Sequence, residues 1–195
     1  GIGVGTDFKY RFGGNVGLLN LYLMSDSGEE KTSSGRKIDV TDETRGYALL
    51  ENNAVISQNW AIQTKVSYIS DPTFMSTWRR SDYRTHDEYE TSIYAKYQKE
   101  NTSFTALAKY DLNQFISNSW LLASRQYKVD KAPELGYFNY GKSMFNGAVT
   151  WSSESRLTRE RMVFQEGTPN ELGLKNKAFA FPDGTVLGGN EPIAA

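Results

Sequence analysis

The chain is 195 residues long, a single-domain length, with Lys+Arg 22 against Asp+Glu 23 and a formal charge of −1. That balance argues against a nucleic-acid module, which carries a basic excess, and no run of about 18 apolar residues offers a transmembrane helix. A 13 % aromatic content excludes a disordered segment, while Cys 0 excludes a disulfide scaffold and a thiolate metal site and leaves the redox compartment open.

From the first residues the hydrophobic pattern has a period of two. Val4, Thr6, Phe8, Tyr10 and Phe12 alternate with Gly5, Asp7, Lys9 and Arg11, as on a strand whose side chains point to opposite faces in turn. Gly13-Gly14-Asn15 is a tight-turn signal, so 4–12 and 16–24 read as a hairpin. A long polar stretch follows over 25–43. Strand 44–56 turns at Ser57-Gln58-Asn59 into strand 60–69, where Trp60, Ile62, Thr64, Val66 and Tyr68 oppose Ala61, Gln63, Lys65 and Ser67. A second long loop, 70–87, carries Arg79, Arg80, Asp82 and Arg84. Strand 88–98 places Tyr89, Thr91, Ile93, Ala95 and Tyr97 on one face. It turns at 99–102 into strand 103–115, with Phe104, Ala106, Ala108 and Tyr110 in a row. Residues 116–131 form a third long connection, and strands 132–140 and 144–156 flank a turn at Gly141-Lys142-Ser143. The expected organisation is thus antiparallel strands over 1–156. Residues 157–195, which lose the alternation and hold Pro169, Pro182 and Pro192, are expected to be a loop or truncated strand region. No window shows the i, i+3, i+4 stripe of a helix.

The connections alternate short and long. Outer-membrane barrels sort their loops this way, with short periplasmic turns and longer extracellular loops. Trp60 to Tyr68 and Tyr89 to Tyr97 each span eight steps, which at roughly 3.3 Å per residue and a tilt near 40° rise about 20 Å. That approaches the roughly 25 Å apolar band of such barrels, whose two edges carry aromatic girdles. Phe104 to Tyr110 and Phe145 to Trp151 are shorter spans of the same kind. Small Thr and Ala residues between the rings suit lipid better than a sandwich core, which uses Val, Ile and Leu. The fold expected is all-β: an antiparallel up-and-down transmembrane barrel. Hydrocarbon requires every backbone polar group to be paired, so a spanning sheet must close. The start at Gly1 and the end at Pro192-Ile193-Ala194-Ala195 read as a piece of about eight strands from a larger barrel.

Features that suggest chemistry each have a plainer reading. His86 is the one histidine; with Ser81 or Ser92 it makes no nucleophile elbow, so it reads as a solvated loop residue and the chain as no enzyme. Gly1, Gly3 and Gly5 lack the third glycine and the following helix of a phosphate loop. Asp39, Asp42 and Glu43 read as solvated charge rather than a metal site, and no cofactor is implied. Arg79, Arg80 and Arg84 offer guanidinium forks to lipid phosphates if their loop is extracellular, against neutralisation by Asp82, Asp87 and Glu88.

Short motifs then add a family. Arg45-Gly46-Tyr47, Asn59-Trp60, and Ser70-Asp71 with Phe74, followed by Gln126-Tyr127 and Ala132-Pro133-Glu134-Leu135, resemble the barrel of the lipopolysaccharide-assembly family LptD, also called organic solvent tolerance protein. In that family a strand opening on Arg-Gly leads to a turn before Trp, and the next strand ends on Ser-Asp before an aromatic. The resemblance covers roughly residues 40–160 and marks Arg45, Gly46, Trp60, Ser70, Asp71, Pro133 and Leu135. It implies a barrel of about 26 strands in the outer membrane of a diderm bacterium. That barrel takes lipopolysaccharide from a periplasmic LptA-like bridge, holds an LptE-like plug lipoprotein, and delivers its cargo among the outer-membrane lipids. The family's usual cysteines are missing from this stretch. A complete small eight-stranded barrel acting as porin, adhesin or anchor, and a soluble β-sandwich binding module, are the alternative readings.

Overall fold

A computed structural model describes residues 1–26, 28–31, 37–40, 44–71, 73–83, 89–113 and 127–164. Among these residues ten strands form: β1 Ile2–Phe12, β2 Asn15–Ser25, β3 Gly28–Lys31, β4 Lys37–Val40, β5 Thr44–Val55, β6 Trp60–Ile69, β7 Thr91–Lys99, β8 Thr102–Tyr110, β9 Tyr127–Met144 and β10 Val149–Phe164. Eight of them make one antiparallel sheet in the order β1-β2-β5-β6-β7-β8-β9-β10, and β3 pairs with β4 in a separate ribbon. Two short helical segments, α1 Phe74–Trp78 and α2 Arg80–Tyr83, follow β6.

The sheet is all-β and up-and-down as the alternation predicts. It is also open, since among the described residues β1 pairs with β2 alone and β10 with β9 alone. Among the described residues the two sheets are too unequal for a sandwich, which packs two comparable sheets face to face. The four short connections lie at one end of the sheet and the three long ones at the other.

Local chemistry explains most of the pairing. Phe12 faces Asn15 across Gly13-Gly14, and Gly13 supplies the positive φ (+54°) that a two-residue hairpin needs. Gly3 and Gly5 of β1 leave room for the Tyr22 ring, which lies over both. An aromatic covering the glycines of an edge strand restores the packing that those glycines lack.

Three expectations need correction. The last hairpin turns at Phe145-Asn146-Gly147, all at positive φ, rather than at Gly141-Lys142-Ser143. Gly141 (φ +67°) instead sits in a bulge, where the register shifts opposite Trp151/Ser153. A glycine at positive φ serves a bulge as well as a turn. Phe145 consequently lies in that turn and caps no membrane span. Tyr89 precedes β7 and packs beside the buried cluster of Met24, Tyr47, Ile69, Phe74 and Met75, so it does not close the apolar row of its strand. β9 begins at Tyr127, inside the expected connection, and β10 runs on to Phe164. Residues 165–195 lie outside the described residues.

Candidate functional site

Residues opposite one another in an antiparallel ladder share a face, so the register sorts every side chain. One face is apolar. Trp60 pairs with Tyr97, Tyr97 with Phe104, and Phe104 with Tyr137. Their rings form one continuous row across four strands, with centroids 5.1, 6.4 and 4.9 Å apart. The row lies toward the end with the short turns. Behind it run Ile62, Thr64 and Val66, Ala95 and Ile93, Ala106 and Ala108, and Leu135 beside Leu157. Tyr68 and Tyr110 end this face on the long-loop side. Among the described residues nothing covers it: Tyr68 is 62 % exposed and Leu157 67 %. Tyr10 stacks over Gly17 on the same face, and its hydroxyl donates to Asn52 Oδ1 at 2.8 Å.

The other face is polar and concave. A depression of about 870 Å³ is lined by Lys9, Arg11, Glu51, Gln63, Lys65 and Tyr94, among others. Ion pairs run over this face: Lys65 of β6 with Glu51 of β5 (3.9 Å), Lys109 of β8 with Glu90 just before β7, and Lys131 of β9 with Glu160 of β10 (2.9 Å) and with Glu134 of its own strand (3.5 Å).

At the long-loop end this polar face is capped by a folded loop. Arg45, 1 % exposed, is the centre of the cap. Its Nε donates to Asp71 Oδ2 (3.0 Å) and Nη2 to Asp71 Oδ1 (2.8 Å), a two-pronged fork. Nη1 reaches Asp26 Oδ2 (3.1 Å), and Nη2 also donates to the Thr73 hydroxyl (3.0 Å). Asp71 accepts further from the hydroxyls of Ser70 (2.9 Å) and Thr73 (2.6 Å) and from the Thr73 amide (3.0 Å). Burial pushes the Asp71 carboxyl up, but the hydrogen bonds from Arg45, Thr73 and Ser70 outweigh it and hold the group below the ordinary carboxylate range. Gly46 and Ser70 complete the tie: the Ser70 amide donates to Gly46 O (2.9 Å) and the Gly46 amide to Ser70 Oγ (3.0 Å). A Cβ on Gly46 would run into the Tyr22 carbonyl oxygen of β2.

This tie sets α1 onto the sheet. Phe74 and Met75, 0 % and 1 % exposed, fill the space over Met24, Tyr47 and Ile69. Phe74 lies 6.0 Å from the Tyr47 ring and 5.8 Å beneath the Arg45 guanidinium. Arg79 stacks on Tyr47 (5.3 Å) and Tyr22 (5.8 Å). From the next loop, Asn113 accepts the Ile69 amide (2.8 Å) and donates to Ser67 Oγ (3.1 Å) and Tyr89 O (2.6 Å). The described part of the second long loop, up to residue 83, therefore folds over the polar face.

The marked residues fall into two groups, with Pro133 apart from both. Arg45, Gly46, Ser70 and Asp71 come together in the cap. Trp60 and Leu135 lie on the apolar face, one in the aromatic row and the other beside it. Pro133, with Ala132, sits in a bulge where the register shifts against both β8 and β10. Proline has no N–H to give the ladder, and inside a sheet it is confined to such sites. Of the loop arginines, Arg79 and Arg80 lie among the described residues and take different partners. Arg79 donates Nε to Asp82 Oδ2 (2.7 Å) and is turned onto the tyrosines. Arg80 is exposed and reaches Ser76 O (3.3 Å). Arg84 lies outside the described residues, as do His86, Asp42 and Glu43. Asp26, Thr73 and Asn113 were not singled out from the sequence. Asp71-Pro72-Thr73 carried a turn signal, but the other two sit in loops whose partners are remote in the chain.

An antiparallel meander with an apolar face left exposed by the described residues, a row of rings near one edge and a polar face capped by a loop defines a two-sided wall. The chain belongs to the LptD family, LPS transport system D, whose family model matches residues 43–167. The match takes in β5 through β10 and the whole cap tie except Asp26. The family is one of lipopolysaccharide transport rather than of catalysis. No curated protein and no solved structure matches the chain.

Proposed function

We propose that this chain forms part of the wall of the outer-membrane translocon that inserts lipopolysaccharide into the outer leaflet. The apolar face meets lipid, and the polar face lines the lumen that passes the saccharide and holds an LptE-like plug lipoprotein. An LptA-like bridge feeds the assembly from the periplasm. The observation that carries this reading is the in-register row Trp60-Tyr97-Phe104-Tyr137, on the uncovered face and toward the end with the short turns. Aromatic rings prefer the headgroup level, and short turns belong to the periplasmic rim. In the barrel the open edges of β1 and β10 would pair with further strands, as lipid leaves no edge unpaired. The inward-folded α1 and α2 would narrow the lumen at its outer mouth. Of the two described loop arginines, Arg80 is the exposed one and would be the one to meet lipid phosphate.

The test uses the full-length protein in cells that depend on it, with a photo-crosslinking residue at Gln63 or Tyr94 on the polar face and at Thr64 or Ile93 on the apolar face. Polar-face positions are expected to capture lipopolysaccharide or the plug lipoprotein during transport, and apolar-face positions membrane lipid. Capture of neither from Gln63 and Tyr94 while surface delivery continues would overturn the reading.

A further inference from the structure

Charges interrupt the apolar face at its long-loop end: Arg159, Arg161 and, opposite Arg161, Asp130. Leu157 pairs with Leu135, which itself pairs with Ala106, so Leu157 belongs to that face. Thr158 and Glu160 pair with Glu134 and Lys131 on the polar face. Arg159 and Arg161 therefore point the same way as Leu157. Both are exposed, and neither has an ion-pair partner among the described residues. Their level is set by neighbours: Arg161 pairs with Asp130, and Lys109 with Lys131, which brings Tyr110 alongside Asp130 at the long-loop end of the face. The Asp130 carboxylate accepts the Asp111 amide at 3.2 Å. Arg159 stands beside the Ala132-Pro133 bulge.

Directly below the arginines the same face holds a groove of about 460 Å³, lined by Leu157, Leu135 and Ala106 and running to Phe104, Tyr137 and Trp60. A charged fork stands at the level of a headgroup-seeking tyrosine, and a trough floored by small side chains leads away from it into the apolar band. That arrangement has the head-and-tail chemistry of a single lipid. We infer that Arg159, Arg161 and the Leu135–Leu157 groove bind one phosphate-bearing lipid of the surrounding leaflet, phosphate on the guanidinium pair and acyl chain in the groove. The two arginines are two residues apart on one strand, about 7 Å, and each guanidinium can grip a phosphate with two parallel hydrogen bonds. A site on the outer surface holds resident lipid and is separate from the lumen path. It rests on the proposed placement of this face in lipid.

The test uses full-length protein purified in detergent and titrated with lipopolysaccharide, with the same lipopolysaccharide after dephosphorylation, and with inorganic phosphate alone, read by native mass spectrometry. R159Q/R161Q is expected to lower retention of the phosphorylated lipid at least tenfold, and R159K/R161K by less, because lysine keeps the charge and loses the fork. L135W/L157W, which fills the groove, is expected to lower lipid retention while both arginines remain. Unchanged retention in R159Q/R161Q, equal retention of the dephosphorylated lipid, or equally tight binding of inorganic phosphate alone would each overturn the lipid site. Membrane insertion and surface delivery are scored in parallel. Unchanged retention with both intact sinks this inference alone, whereas a protein that never enters the membrane sinks the proposed function with it.

Discussion

Replacing Asp71 with Asn keeps the shape of the cap and removes its charge. Arg45 is 1 % exposed, and the Asp71 side chain 14 %. The substitution removes the charge of the forked partner, while Nη1 keeps Asp26 at 3.1 Å. Breaking a buried pair from one side costs about 3–5 kcal/mol, and with Asp26 still facing the guanidinium the lower part of that range, about 3–4 kcal/mol, applies. The cost falls on docking of the loop rather than on the sheet, since the strands keep their ladders. At 1.4 kcal/mol per factor of ten, the opened state of the loop should gain about two to three decades in population. Hydrogen exchange reads this at the amides of Thr77 and Arg79, bonded to Thr73 O and Met75 O, and at Ile69, bonded to Asn113. Protection there is expected to collapse in D71N while the β7–β8 ladder is unchanged. The pair R45M/D71L removes both charges and is expected to recover most of the loss, as apolar replacement of a whole buried pair is often neutral. Protection in D71N within a factor of two of the parent would refute the reasoning.

Other consequences follow from the same geometry. Because the folded Asp71 carboxyl titrates below its ordinary value of 3.8, its contribution to docking is complete above that pH and is lost as pH falls through the lower folded value. Trp78 emission should therefore report undocking only below about pH 4, and loss already at pH 6 would exclude this group. Phe74→Ala empties a fully buried site and should cost about 3–5 kcal/mol of cap stability, measured by the same exchange. Gly46→Ala drives a methyl group against a β2 carbonyl and should cost about 1–3 kcal/mol, visible as a lower yield of heat-resistant folded protein. Val66→Arg should cost about 2–4 kcal/mol if it lies near the bilayer midplane, while Gln63→Arg on the opposite face should be close to neutral. Folding titrations into lipid vesicles separate the two.

Much of the sheet was legible because its signal is local. Period two from Trp60 to Tyr68 sets the faces of β6, and the order of short and long connections sets the up-and-down path. Arg45-Gly46 and Ser70-Asp71 were visible as motifs, but their union was not, because it forms between residues 26 positions apart. Where the second loop would go depended on Phe74 and Met75 finding Tyr47 and Ile69. That packing is tertiary and leaves no periodic trace in a five-residue helix. Gly141 misled because turn and bulge ask the same left-handed conformation of a glycine. The span from Tyr89 failed for a related reason: an aromatic in phase with a strand is counted with it until another surface, here the cap, takes the ring.

The central claim is that one face of this sheet lies in lipid and the other lines water. Its most direct test is a nitroxide scan of single cysteines from Ala61 to Tyr68 in full-length protein in bilayers, a segment in which no native cysteine competes. Oxygen accessibility should peak at Ile62, Thr64, Val66 and Tyr68, and accessibility to a water-soluble nickel reagent at Gln63 and Lys65, with a strict period of two. Equal accessibility to both reagents at neighbouring positions would contradict the account.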